Sequence, residues 1–124
     1  MTRFIGAEPQ LGVCDLKAAI TFYTRSLGFH LAFEYGEPPF YAQVFRDGAR
    51  LNLRHVDALM SHGEGEDELL SVTFTVDDVA AVNAEYVEAG VVFAQALRTE
   101  PWGARTFMVR DPDGNLLLFA GAAG

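Results

Sequence analysis

The strongest constraint on this chain is an internal repeat. Residues 8–13 alternate, with Pro9, Leu11 and Val13 on one parity and Glu8, Gln10 and Gly12 on the other, the pattern of a half-buried strand. Asp15 then stands where a helix N-cap is needed. Leu16, Ala19, Ile20, Tyr23 and Leu27 follow at helical spacing, and Gly28 ends the run. Strands are predicted at 29–35, 40–45 and 50–54, separated by Gly36-Glu37-Pro38-Pro39 and by the tight turn Asp47-Gly48. The second half repeats this order. Residues 70–76 alternate, Asp78 is a second cap, and Val79, Val82, Tyr86 and Ala89 form a stripe that Gly90 ends. A strand at 91–97 and a break at Thr99-Glu100-Pro101 lead into a closing hairpin of 105–110 and 116–119.

The turn of that hairpin, Asp111-Pro112-Asp113-Gly114-Asn115, has a mechanism in each residue: proline pre-sets φ, the aspartates bond nearby amides, and glycine accepts positive φ. The two halves begin alike, Val13-Cys14-Asp15-Leu16 against Val76-Asp77-Asp78-Val79, and both place a tyrosine in mid-helix. Neither half is large enough to bury a sheet alone, so the two are expected to pair into one α+β domain. Module one is expected over about residues 7–58, an acidic linker over about 60–68, and module two over about 69–121 of the 124 residues.

Composition narrows the partners. Half of the residues are hydrophobic and ten are Phe, which excludes a disordered chain. A net charge of −8 disfavours nucleic acid and anionic membrane surfaces and suits a cationic ligand. Cys14 is the only cysteine, so neither an intrachain disulfide nor a thiolate zinc site can form. No apolar run is long enough to serve as a signal peptide or to span a membrane, and a reducing cytoplasm is the expected location.

The repeat, the Val13-Cys14-Asp15-Leu16 helix start, Phe22-Tyr23 with Leu27-Gly28-Phe29, and the Asp111–Asn115 turn together resemble the vicinal oxygen chelate superfamily. That superfamily includes glyoxalase I, extradiol dioxygenases, and fosfomycin and bleomycin resistance proteins. The resemblance covers nearly the whole chain. It implies two βαβββ modules forming a curved, cup-like mixed sheet with helices on the convex face, usually in a homodimer. The scaffold hosts many chemistries, so activity must be read from the site.

Metal-dependent members carry His, Glu or Gln at four concave positions. By offset these correspond to Glu8, Asn52, Ser71 and Leu118. Only Glu8 is a good ligand, Asn52 and Ser71 are weak, and Leu118 has no donor, so no family-type metal site and no cofactor are expected. His30, His55 and His62 show no ligand spacing. The acidic run Glu64 to Glu68 reads as a solvated linker, and Cys14 lacks an assignable base. Glu8 remains the one candidate general base.

Strand parity assigns Glu8, Gln10, Asn52, Arg54, Ser71, Thr73, Leu116, Leu118 and Ala120 to the concave face. Leu11, Val13, Leu51, Leu53, Val72, Phe74, Val76, Leu117 and Phe119 are assigned to the helix side. Trp102, the single tryptophan, and Phe33, Tyr35, Phe40 and Tyr41 offer stacking surface at the rim. The pattern is most similar to the bleomycin resistance branch, whose members are metal-free, acidic dimers that bind a cationic glycopeptide without altering it. The resemblance thus implies a protein that sequesters an aromatic or cationic small molecule, an antibiotic among the candidates, in a dimer groove. The alternative is a lyase or isomerase related to glyoxalases or dioxygenases, with a rebuilt metal site or Glu8 as base.

Overall fold

A computed structural model describes residues 1–122. Two βαβββ units follow one another. The first comprises β1 (Gln10–Val13), α1 (Leu16–Thr21), β2 (His30–Gly36), β3 (Pro39–Arg46) and β4 (Ala49–His55). The second comprises β5 (Val72–Thr75), α2 (Val79–Glu88), β6 (Phe93–Thr99), β7 (Ala104–Arg110) and β8 (Leu116–Ala122). The strand orders are β1-β4-β3-β2 and β5-β8-β7-β6, each with one parallel pair, β1 with β4 and β5 with β8. Strand pairing stays within each unit, and among the described residues no ladder joins the two sheets. The segment between them is irregular apart from a single 3₁₀ turn at Gly65–Asp67.

Both helices start where the caps were expected. The Asp15 carboxylate accepts from the Ala18 amide and the Asp78 carboxylate from the Ala81 amide, each at 3.0 Å. The first stripe is not a uniform α-helix, however. After Thr21 it widens into a π-helical turn, Phe22–Ser26, closed by the Leu27 amide on the Phe22 carbonyl at 3.2 Å. Tyr23 and Leu27 are both fully buried in this wider turn. Gly28 ends it at φ +77°, where an added Cβ would stand 2.8 Å from the Arg46 guanidinium.

The parity assignment holds on the helix side. Leu11, Val13, Leu51, Leu53, Phe74, Leu117 and Phe119 are buried, and Val72 and Val76 pack against them. α1 lies over β3 and β4, and α2 over β7 and β8. Phe107 and Phe119 stack at 4.8 Å, Phe119 stacks on Phe74 at 4.9 Å, and Phe74 meets Phe29 of the first unit edge-on at 5.6 Å. One aromatic seam therefore runs from the second sheet into the first unit. Burying each such ring contributes roughly 1.5–3 kcal/mol, with about 0.5–1.5 kcal/mol more for a well-set pair.

The turn between β7 and β8 is a junction rather than an ordinary hairpin end. Asp111 accepts four hydrogen bonds: from the amides of Asp113 and Asn115 on one oxygen, and from the Tyr23 hydroxyl and the Asn115 side chain on the other. Asn115 also donates to the Gly12 carbonyl at 3.1 Å, and Asp113 accepts from the Cys14 amide at 2.8 Å. Residues chosen for turn geometry thus fasten the second unit to β1 and α1 of the first. The opposite corner is held by Arg46, which forms a bidentate pair with Glu85 of α2 and donates to the Leu27 carbonyl. No helix among the described residues is long and apolar enough to cross a membrane.

Candidate functional site

Each sheet buries one face under its helix and leaves the other open. Register shows what the open faces present. In the first unit Gln10, Asn52, Gln43 and Phe33 stand in one row across the four strands. The next row is Gly12, Arg54, Tyr41 and Tyr35, and a third contains Arg50, Phe45 and His30. Side chains two apart on a strand share a face, so these rows form one surface. Six residues assigned to the site from sequence, Gln10, Phe33, Tyr35, Tyr41, Asn52 and Arg54, lie together there.

The polar members are ordered by one another. The Gln43 amide donates to Asn52 Oδ1 at 2.9 Å and accepts from Arg50 Nη1 at 2.8 Å. Phe33 and Tyr41 face each other at 6.1 Å, and Tyr35 meets Phe40 at 5.7 Å. The Arg50 and Arg54 guanidiniums lie over the Phe45 and Phe40 rings, at 5.1 and 5.7 Å. Gln43, Phe45 and Arg50 were not singled out from sequence, although alternation with Tyr41 and with Asn52 places all three on this face.

In the second unit the open-face rows are Thr73, Leu118, Met108 and Gln95, then Thr75, Ala120, Thr106 and Arg98. Buried Thr106 takes a hydrogen bond from Gln95 and donates to Glu100, which Arg98 also holds at 2.6 Å. Those two donors keep the Glu100 carboxyl below its ordinary range, Arg98 first and Thr106 second. Trp102, 75 % exposed, walls a shallow groove of about 680 Å³ floored by Ala104, Ala120 and Ala122. The groove contains no residue of the first unit, so Trp102 and the Phe33–Tyr41 wall belong to separate surfaces. A further cleft of about 590 Å³ lies between the Asp47-Gly48 turn and β5.

The four positions that correspond to the superfamily's metal ligands do not fit a metal ion. Glu8 is exposed ahead of β1. The Asn52 oxygen is taken by Gln43, and the Ser71 hydroxyl is engaged with Asn115 and the Leu116 amide. Leu118 offers no donor, and no cluster of three or more His, Cys, Asp or Glu side chains among the described residues could hold an ion. Two of the three histidines are engaged elsewhere: His30 packs on Phe45 and His55 lies 3.2 Å from Asp57.

Two repeated βαβββ units with helix-backed sheets and open, ligand-sized faces define an α+β scaffold of the glyoxalase and bleomycin resistance type. The family model described as Glyoxalase/Bleomycin resistance protein/Dioxygenase superfamily matches residues 7–119, and the chain belongs to that superfamily. Among solved structures, it is similar to the bleomycin-binding protein of bleomycin-producing Streptomyces verticillus, solved with copper(II)-bleomycin. The two are 27% identical over 100% of this chain and 99% of the other, with a TM-score of 0.73. A bleomycin resistance determinant encoded on transposon Tn5 shares the fold at 22% identity and a TM-score of 0.79, covering 94% and 97% of the two chains. TioX from Micromonospora sp. ML1 does so at 24% identity and a TM-score of 0.75, covering 93% and 96%. A search of curated protein sequences finds no match.

Proposed function

We propose that this protein binds and sequesters an aromatic small molecule without transforming it, in the manner of the bleomycin-binding proteins, with an antibiotic as a fitting ligand. The observation that carries the proposal is the open face of the first unit. Its aromatic wall of Phe33, Tyr35 and Tyr41 is interleaved with Asn52, Gln43 and Arg54, and none of these is placed as a nucleophile with a base beside it. An aromatic surface with a few ordered polar groups recognises planar compounds by stacking and fixes their orientation by hydrogen bonding. The solved structure of a relative holding copper(II)-bleomycin supports the same reading. The enzymatic alternative has less support, because Glu8 stands exposed to solvent.

The ligand groove is completed, in this proposal, by a second copy of the chain. β1 and β5 are terminal strands in their sheets, and exposed Phe4 and Ile5 precede β1 in sequence as exposed Leu69 precedes β5. Unpaired strand edges and apolar flanks of this kind suit burial between two copies. Titration with bleomycin and with planar aromatic compounds, read by calorimetry and by Trp102 fluorescence, tests binding, and sedimentation velocity tests the dimer. Saturable binding in the absence of turnover is the expected result. No response from any compound in either readout would overturn the proposal.

A further inference from the structure

The charge at the open face of the first unit is opposite to that of the protein. The chain carries a formal −8, yet none of the residues in the three register rows is Asp or Glu, while two of them are Arg50 and Arg54. Elsewhere carboxylates neutralise the arginines that are held in place: Arg46 pairs with Glu85, Arg98 with Glu100 and Arg110 with Glu68. Arg50 and Arg54 have no carboxylate partner among the described residues. Glu8, which precedes β1, pairs with neither of them.

Both guanidiniums are nevertheless positioned. Each lies over a phenylalanine ring, Arg50 over Phe45 at 5.1 Å and Arg54 over Phe40 at 5.7 Å. Stacking of this kind orients the guanidinium plane while leaving its N–H edge available. Arg50 spends one nitrogen on Gln43, whose amide is tied in turn to Asn52. Arg54 spends none on any described residue and shares its row with Tyr41 and Tyr35. The result is a ring-stacking wall with planar cationic forks along one side, the donor geometry that pairs with a carboxylate, sulfonate or phosphate.

We infer that the compound recognised at this face carries an anionic group on its aromatic framework, and that Arg54, assisted by Arg50, receives it. This rests on the sequestration reading and specifies its ligand class. The global charge of −8 then acts on approach, whereas selection is made by the local pair.

The test uses three naphthalene probes of matched shape: 2-naphthoate, its methyl ester, and 2-naphthylmethylammonium, each titrated calorimetrically into the protein. The carboxylate is expected to bind at least about tenfold more tightly than the other two. Arg54→Gln is expected to weaken the carboxylate by more than the ester and so remove most of that preference, with Arg54→Lys retaining part of it. Arg50→Gln, as a second exposed-site variant, is expected to weaken the carboxylate by less. Equal binding of the three probes, tighter binding of the ammonium compound, or a carboxylate preference that survives in Arg54→Gln would overturn the inference while leaving sequestration standing. No binding by any of the three overturns the inference, and sequestration falls with it only where the titrations with bleomycin and the planar compounds are silent as well.

Discussion

Tyr23 and Tyr86 reach across the junction between the two units in opposite directions. The Tyr23 hydroxyl, from the first unit, donates to Asp111 of the second at 2.8 Å, and the Tyr86 hydroxyl, from the second, donates to the Leu27 carbonyl of the first at 2.8 Å. Both rings are buried, and burial raises both phenol pKa values, that of Tyr86 to about 12 and that of Tyr23 well above 10.0, with Asp111's charge adding to the latter. The repeated mid-helix tyrosine is thus a repeated cross-brace.

Removing either hydroxyl should loosen the junction without emptying the core. Tyr23→Phe and Tyr86→Phe are each expected to destabilise by about 1–2 kcal/mol, since one buried partner loses a donor while the ring stays. Urea unfolding of both variants and of the double mutant checks this. The two braces share no partner, so their effects should add to within about 0.5 kcal/mol.

Asp111→Ala is expected to be more severe than either. It strands the Tyr23 hydroxyl, one of the two Nδ2–H groups of Asn115 and the backbone amides of residues 113 and 115. At roughly 1–3 kcal/mol for each buried donor left unsatisfied, a loss of at least about 3 kcal/mol follows, and thermal unfolding measures it. A loss below about 1 kcal/mol would show that the turn does not fasten the units.

Stability should fall with acid. Hydrogen bonding from Arg46 holds the Glu85 carboxyl below the ordinary value of 4.5, and Arg110 does the same for Glu68. A carboxylate depressed in the folded state binds more protons when unfolded, so its contribution is present above the ordinary value and lost as pH falls through the depressed one. Asp111 works the other way. Burial raises it above 3.8 against its hydrogen bonds, so protonation there favours the folded chain. Denaturant midpoints from pH 7 to 3 are therefore expected to decline below about pH 4.5, the glutamates outnumbering Asp111. Glu85→Gln should flatten that decline slightly, in keeping with a partly exposed pair worth about 0.2–1 kcal/mol.

Binding should depend on the open faces and stability should not. Tyr41→Ala and Trp102→Ala are expected to weaken a saturating aromatic ligand, by roughly fivefold or more for the surface that holds it, with little change in melting temperature. Because the two residues lie on separate surfaces of one chain, the pair also reports which surface is used. Metal analysis after dialysis is expected to show no stoichiometric nickel, zinc, manganese or iron. Full occupancy by any of these would overturn the donor argument built on Asn52, Ser71 and Leu118.

The architecture was legible because local chemistry and periodicity agreed. Asp15 and Asp78 cap the helices that follow them, Gly28 ends the first at positive φ, and Leu51, Leu53, Leu117 and Phe119 turn to the helix side as alternation requires. The weakness of the ligand positions was equally visible, since Leu118 carries no donor in any fold. Less of the candidate site could be read, because a parity rule says which face a side chain takes and nothing about what it meets there. Gln43 and Arg50 were within reach of that rule, but the hydrogen-bonded chain linking them to Asn52 depends on the β3–β4 register.

What the sequence determined by itself is the repeat, the element order and the two faces of each sheet, all consequences of spacing over a few residues. Tertiary structure alone decided the rest. It made the Asp111–Asn115 turn a fastening between units, set Tyr23 and Tyr86 as opposed braces, and left Arg50 and Arg54 stacked and without a carboxylate in a chain of net charge −8. Those relationships join residues far apart in the chain, such as Cys14 with Asp113 and Tyr23 with Asp111, and only the packing of one unit against the other brings them within bonding distance.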